Sequence, residues 1–173
     1  MSAHEMIEIK ARCSDLDTVR QVLRSKAAEY RGLDNQVDTY YRVKGGRLKF
    51  RSGNIENFLI FYDRPNVSSP KTSRVLLAPT AAGNDLEQIL SACLETLVIG
   101  KKKREIYFVG NVKIHLDDVE VLGRFLEIEV QSDGVSAEAE SRAQCEEYMK
   151  LFGVKTEDLL TQFYSDMLST SNS

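Results

Sequence analysis

The chain has 173 residues, 42% hydrophobic and 28% charged, with a net charge of −3, values of one ordinary globular domain long enough to bury a core. The negative balance argues against a general nucleic-acid binder, and no apolar run approaches the roughly 20 residues needed to span a bilayer. The opening MSAHEMIEIKAR carries no apolar signal segment, and Cys13, Cys93 and Cys145 fit neither a zinc spacing nor an even disulfide set, so a cytoplasmic protein that binds neither nucleic acid nor membrane is expected.

EMIEIKARC alternates and predicts a first strand. Leu16, Val19, Leu23, Ala27 and Tyr30 follow at helical intervals, predicting a helix over 15–30 capped by Ser14. VDTYYRVKGGRLKFR predicts a hairpin turning at Gly45-Gly46, with Arg42 opposite Lys49 and Tyr40 opposite Arg51. NFLIFYDRP is a strand stopped at Pro65, NVSSPKT a loop and SRVLLAP a further strand. A helix is predicted over 85–98 from Leu86, Ile89, Leu90, Cys93, Leu94 and Leu97. KKREIYFVGNVKIHLD predicts a second hairpin at Gly110-Asn111, pairing Arg104 with Asp117, Ile106 with His115 and Phe108 with Lys113. RFLEIEVQ is the last clear strand, two helices follow near 137–151 and 156–168, and residues 169–173 read as a frayed tail. About eight mostly antiparallel strands result, with helices on one side.

Several of those strands carry charge on alternate residues and so have a charged face and an apolar face. The helices must bury their apolar stripes, and the apolar face of the sheet is where they can. The charged face is then either solvated, on an open sheet, or the lining of a barrel, if the twisted sheet curls shut. Interior charge is tolerated only when paired, hydrated or bound to ligand. A lining would hold Glu8, Asp117, Glu127 and Glu129, hard oxygen ligands suited to Mg²⁺ or Mn²⁺. It would also hold Lys10, Arg12, Lys49, Arg51, Lys102, Arg104 and Lys113, donors suited to several phosphates. Of the tyrosine pair 40–41, only Tyr40 shares the charged face. His115 reads as structural, and the run Lys101–Arg104 as a solvated face or a nuclear address.

Read in order, IEIKAR, DTYYRVKGGRLKFR, LIFYDRPN, PKTSR and KKKREIYFVGNVKIHLDDVEVLGRFLEIEV resemble the successive blocks of the CYTH family. That family includes class IV adenylyl cyclases and thiamine triphosphatases, among the triphosphate tunnel metalloenzymes. The resemblance spans roughly residues 5 to 165 and makes residues 1–173 one domain. It implies an α+β, mostly β fold: an eight-stranded antiparallel closed barrel with amphipathic helices packed outside. It implies metal ligands at Glu8, Asp117, Glu127 and Glu129. It implies triphosphate binding by Lys10, Lys49, Arg51, Arg104 and Lys113, with Arg12, Arg64, Lys71 and Lys102 as additions, and catalytic roles for Glu8, Lys10 and Glu129.

Two positions depart from the family pattern. Met6 stands where the first carboxylate of Glu-x-Glu-x-Lys would be, and Leu76 where the Glu of an Arg-x-Glu would fall, so a second metal site is not supported. The implied activity is Mg²⁺- or Mn²⁺-dependent hydrolysis of inorganic triphosphate, thiamine triphosphate or ATP, by a monomer or homodimer. The alternatives are an adenylyl cyclase releasing cyclic AMP and pyrophosphate, and a polyphosphate-binding protein without turnover.

Overall fold

A computed structural model describes residues 2–63, 70–83, 85–131 and 137–171. Among them are eight strands: β1 (Ser2–Arg12), β2 (Glu29–Tyr41), β3 (Arg47–Ser52), β4 (Phe58–Asp63), β5 (Lys71–Pro79), β6 (Thr96–Val109), β7 (Val112–Val119) and β8 (Gly123–Gln131). The helices are α1 (Leu16–Ser25), α2 (Leu86–Cys93), α3 (Ala137–Leu151) and α4 (Tyr164–Ser171), with a 3-10 turn at Thr156–Asp158. The expected mostly β, α+β architecture is present, and every pairing is antiparallel. The hydrogen-bonded order is β1-β5-β4-β3-β2-β6-β7-β8, and β8 pairs back with β1. One strand joins the ring because its two halves have different partners. Ser2–Glu8 pairs with β5, and Met6–Arg12 pairs with β8.

The apolar faces point outward, under the helices. Ile7, Ile9 and Ala11 of β1, Ile114 and Leu116 of β7, and Leu126, Ile128 and Val130 of β8 form one buried cluster with Leu16, Val19 and Leu23 of α1 and Cys145 of α3. A smaller cluster lies at one end of the barrel, where Tyr164, Met167 and Leu168 of α4 pack on Tyr40, Val98, Val119 and Phe125. That end is therefore covered by a helix, which departs from the expectation that helices avoid the charged side. No helix among the described residues is long and apolar enough to cross a membrane.

Several boundaries differ from the sequence expectation for identifiable reasons. The α1 cap is Asp15, not Ser14: its carboxylate accepts from the Thr18 backbone N–H at 3.1 Å and the Thr18 hydroxyl at 2.6 Å. The helix ends at Ser25, and Tyr30 belongs to β2, where its ring packs 4.8 Å from Tyr107 across the β2–β6 ladder. Likewise α2 stops at Cys93, and Leu97 lies in β6. α4 runs to Ser171, so residues 169–171 are helical rather than frayed.

The hairpin at Gly110-Asn111 has the expected register. The one near Gly45-Gly46 does not: Tyr40 faces Lys49 and Asp38 faces Arg51. A five-residue connection, 42–46, replaces the two-residue turn, with Gly46 at φ +65° where a Cβ would meet the Phe61 ring at 2.5 Å. Arg42 leaves the face and pairs with Glu95 at 2.6 Å. Arg42 and Lys49 are therefore not opposed: Lys49 faces Tyr40, and Asp38 faces Arg51.

Ile128 is fully buried and Ile99 is exposed. Ile128→Ala should lower unfolding free energy by about 2–5 kcal/mol, whereas Ile99→Ala should change it by less than about 0.5 kcal/mol. Urea unfolding of the two variants checks that the core lies between β1, β7, β8 and the helices rather than over β6.

Candidate functional site

The inward side chains surround a cavity of about 870 Å³, its open mouth included. Strand alternation selects the lining. Lys102 and Arg104 are buried while their neighbours Lys101 and Lys103 are exposed, so half of the basic run lies inside. The cavity has two unlike walls. One carries Glu8 and Lys10 of β1, Lys49 and Arg51 of β3, and the inward residues of β6, β7 and β8. The other is built from Met6, Phe58, Ile60, Tyr62, Val75 and Leu77. Phe163 and Tyr164 enter from the α4 end.

The charged wall is a chain of ion pairs between strands. Arg104 donates to both oxygens of Asp117 at 2.6 Å, and to Glu127 at 2.6 Å. The Tyr164 hydroxyl donates to Asp117 at 3.0 Å. Lys10 lies 3.1 Å from Glu127 and 3.7 Å above the Tyr164 ring. Asp38 collects three cations: Arg51 donates to both of its oxygens at 2.8 and 2.9 Å, Lys49 donates at 3.0 Å, and Lys102 lies 3.7 Å away, also 3.6 Å from Asp117. Burial alone would raise the Asp38 carboxyl, but Arg51, Lys49 and Lys102 hold it well below the carboxylate range. The Lys49 ammonium is lowered to about 8 by burial and by Arg51, against the pull of Asp38. Lys102 is lowered well below the lysine range by burial and by Arg104.

Glu56 comes from the β3–β4 connection. Its carboxylate accepts from Lys113 at 2.6 Å, and from Arg51 and Gln36 at 3.2 Å. Because β2 and β6 separate β3 from β7 in the ring, the Glu56–Lys113 bridge crosses the lumen. Buried Asp34 fixes the connection, accepting from the backbone N–H of Ile55 at 2.9 Å and of Glu56 at 3.0 Å. Six basic side chains (10, 49, 51, 102, 104 and 113) and four carboxylates (8, 56, 127 and 129) thus line the cavity. Asp38 and Asp117, behind that lining, bring the carboxylates to six.

The remaining acids crowd together. Glu8 faces Glu129 across the β1–β8 ladder, and Lys10 faces Glu127. His115 Nδ1 lies 3.3 Å from Glu127 Oε2 and 3.5 Å from Glu129 Oε1, and one ligand atom from each of these three residues falls within 4.8 Å of the others. Burial, then the charges of Glu127 and Glu8, push the Glu129 carboxyl up to about 7. Burial, Arg104 and Lys113 push His115 down to about 3, so its imidazole is neutral. Its Nε2 is buried without a hydrogen-bond partner among the described residues. Two or three crowded carboxylates, one of them reluctant to ionise, beside a neutral imidazole form a donor set that suits a divalent cation, whose charge would relieve the crowding.

Of the expected site residues, Glu8, Lys10, Lys49, Arg51, Lys102, Arg104, Lys113, Glu127 and Glu129 meet at this cavity. Asp117 stands apart from the acidic cluster, fully buried, with both oxygens engaged by Arg104. Arg12 is exposed beyond the cavity, donating to the Leu122 carbonyl at 3.4 Å. Arg64 and the side chain of Lys71 lie outside the described residues. Met6 lines the cavity as its register required, but Leu76 does not: Val75 and Leu77 take the inward positions of β5, so a Glu at 76 would not have added a carboxylate to the lining. Asp38, Glu56 and Tyr164 were not among the expected site residues. Asp38 was legible as an acid two residues before Tyr40 on the same face. Glu56 sits in a connection and Tyr164 at a helix start, where alternation gives no signal.

An eight-stranded antiparallel barrel with an ion-paired interior is the class this architecture defines. The sequence matches the CYTH domain family over residues 4–164, and the chain belongs to that family. No curated protein matches the chain. Among solved structures, a putative adenylate cyclase from Vibrio parahaemolyticus superposes with a TM-score of 0.80 at 22% identity, covering 97% of this chain and 99% of its own. A conserved hypothetical protein from Pyrococcus furiosus gives 0.79 at 22% identity, with 93% and 98% covered. A putative adenylyl cyclase from Hippeastrum, described as having a dominant triphosphatase activity, gives 0.64 at 15% identity, with 97% and 96% covered. These likenesses show the fold.

The raised Glu129 carboxyl has a defined sign. A group that holds its proton more tightly folded than unfolded costs stability as pH rises from the unfolded value, near 4.3, through about 7. Glu129→Gln removes that loss. The melting temperature of the variant minus that of the wild type, measured without divalent metal, should therefore increase from pH 5 to pH 8. A flat difference would show that Glu129 ionises normally.

Proposed function

We propose that this protein is a divalent-metal-dependent phosphohydrolase acting on a triphosphate-containing substrate inside the barrel. The observation that carries the reading is one cavity holding both an acidic cluster suited to a cation and a row of basic side chains suited to phosphates. Glu8, Glu127 and Glu129, with His115 beside them, would hold Mg²⁺ or Mn²⁺. When bound, that ion supplies positive charge at the phosphate oxygens. Lys49, Arg51, Lys102, Arg104 and Lys113 orient the phosphates, their own positions set by Asp38, Asp117 and Glu56 before any ligand arrives. Lys10 holds Glu127 in place and faces the same space. Glu129, at the edge of this acidic cluster and facing the same cavity, is suited to orient the attacking water. Because acidic and basic side chains are nearly balanced, the metal is expected to be needed for binding as well as for turnover.

Cyclisation of ATP is the second reading, favoured by the apolar wall opposite the charges, where a base could lie. Incubation with inorganic triphosphate, thiamine triphosphate and ATP, each with Mg²⁺ or Mn²⁺, separates the two by their products. Orthophosphate release abolished by chelation is expected, and Glu129→Gln should lower kcat by about 10²-fold or more. Cyclic AMP with pyrophosphate would establish the cyclase, and no product from any pair would overturn both.

Met6 supplies an independent check on the metal. A thioether is a poor partner for Mg²⁺ or Mn²⁺, and Met6 lines the cavity on the same face of β1 as Glu8. Met6→Glu should tighten Mn²⁺ binding in calorimetric titration. Unchanged affinity would place the cation away from β1.

A further inference from the structure

The connection between β3 and β4 is built to hold one carboxylate inside the barrel. Gly53 lets it close on β2, since a Cβ there would meet the Asp34 carboxylate at 2.6 Å. Asp34, fully buried, accepts from the backbone N–H groups of Ile55 and Glu56. The Asn54 side chain accepts from the Asn35 N–H at 2.6 Å and donates to the Leu33 carbonyl at 3.1 Å, and the Asn57 side chain accepts from the Gly53 N–H at 3.2 Å. The backbone around Glu56 is therefore fixed by β2 and by the connection itself, independently of what its carboxylate touches.

That carboxylate is charged and stands where the basic row ends. Burial alone would raise it, but Lys113 foremost holds it well below the carboxylate range. Strand register gives its place along the barrel. Asp117 of β7 meets Tyr164 at the α4 end, together with Lys102 and Arg104. Lys10 reaches Glu127, which faces His115 midway along β7. Lys113, the partner of Glu56, lies four residues from Asp117 on the same strand, roughly 13 Å at the rise of an extended chain. Glu56 joins Lys113 to Arg51 across the lumen at this end. An ammonium has three donors, so Lys113 can hold Glu56 on one side and a phosphate on the other. A phosphate placed beyond Lys113 would meet a fixed anion, and like charges out of water repel strongly.

We propose that Glu56 sets the length of the phosphate chain that the cavity accepts: the terminal group of a triphosphate stops at Lys113, and a fourth phosphate is refused because it would lie against the Glu56 carboxylate. This rests on the phosphate reading of the cavity given above. Glu56 then determines specificity from the end of the substrate. It is not part of the cation site, since its carboxylate is engaged by Lys113 and Arg51 while Glu127 and Glu129 gather at His115.

The test uses two pairs of ligands, as imido analogues that resist hydrolysis: inorganic tri- and tetraphosphate, and ATP with adenosine tetraphosphate. Each is titrated calorimetrically into the full chain with Mn²⁺. In the wild type at least one triphosphate should bind about tenfold more tightly than its tetraphosphate, and Glu56→Gln should narrow that gap by about tenfold. Glu56→Ala serves in its place if the glutamine variant does not fold. A tetraphosphate that binds the wild type as tightly as the triphosphate in both pairs overturns the inference while leaving the phosphate site standing. So does a gap that persists in the variant, or a change in affinity that is the same for every ligand, which would make Glu56 a support for Lys113 and nothing more. Failure of the wild type to bind any of the four removes the phosphate site, and this inference with it.

Discussion

A charged side chain taken out of water must meet an opposite charge or lose its own, and the interior of this barrel is organised by that requirement. Arg104 is the centre of it. Its guanidinium, on β6, spans Asp117 of β7 and Glu127 of β8, and Tyr164 closes on Asp117 from α4. Removing one partner of such a buried set typically costs about 3–5 kcal/mol, because the other is left uncompensated. Each pair joins different strands or a strand to a loop, so the lining ties β2, β3, β6, β7 and β8 together through side chains as well as through backbone ladders. The charged side chains of the lining thereby hold one another in position without a ligand.

The same requirement moves the hydrophobic core outside the ring. Ile7, Ile9, Ile114, Leu116, Leu126 and Ile128 face α1 and α3 rather than each other across a lumen. Stability and chemistry are thus carried by opposite faces of the same strands, separated by one residue of alternation. The arrangement is not uniform around the ring. On β4 and β5 the inward positions are apolar, and the cavity becomes two-sided.

Much of this was legible in the sequence. Period-two alternation marks which residues share a face, and the tight turn at Gly110-Asn111 sets β6 against β7, so Arg104 opposite Asp117 follows from counting. The acids of β8 and the cations of β3 and β6 follow from the same rule, and the family blocks order them along the chain. Local chemistry cannot set the length of a turn whose residues tolerate several conformations, and the connection 42–46 shifted the expected pairing of β2 with β3 by two residues.

What the sequence by itself determined is the face of each strand residue, because a side chain's direction in a strand depends only on its own backbone and its parity. What only the tertiary structure decided is the set of partners. Asp38 meeting three cations, Glu56 reaching across from a connection, Tyr164 entering from a helix start, and Arg12 left outside are all consequences of ring order, stagger and the placement of α4. The inward side chains of β4 and β5 belong with them: their apolar pattern is plain in LIFYDRP and SRVLLAP, but whether it faces a helix or a cavity depends on where α1 and α3 pack. Those contacts form between segments tens of residues apart. Their energies depend on burial, which no local stretch of chain can specify.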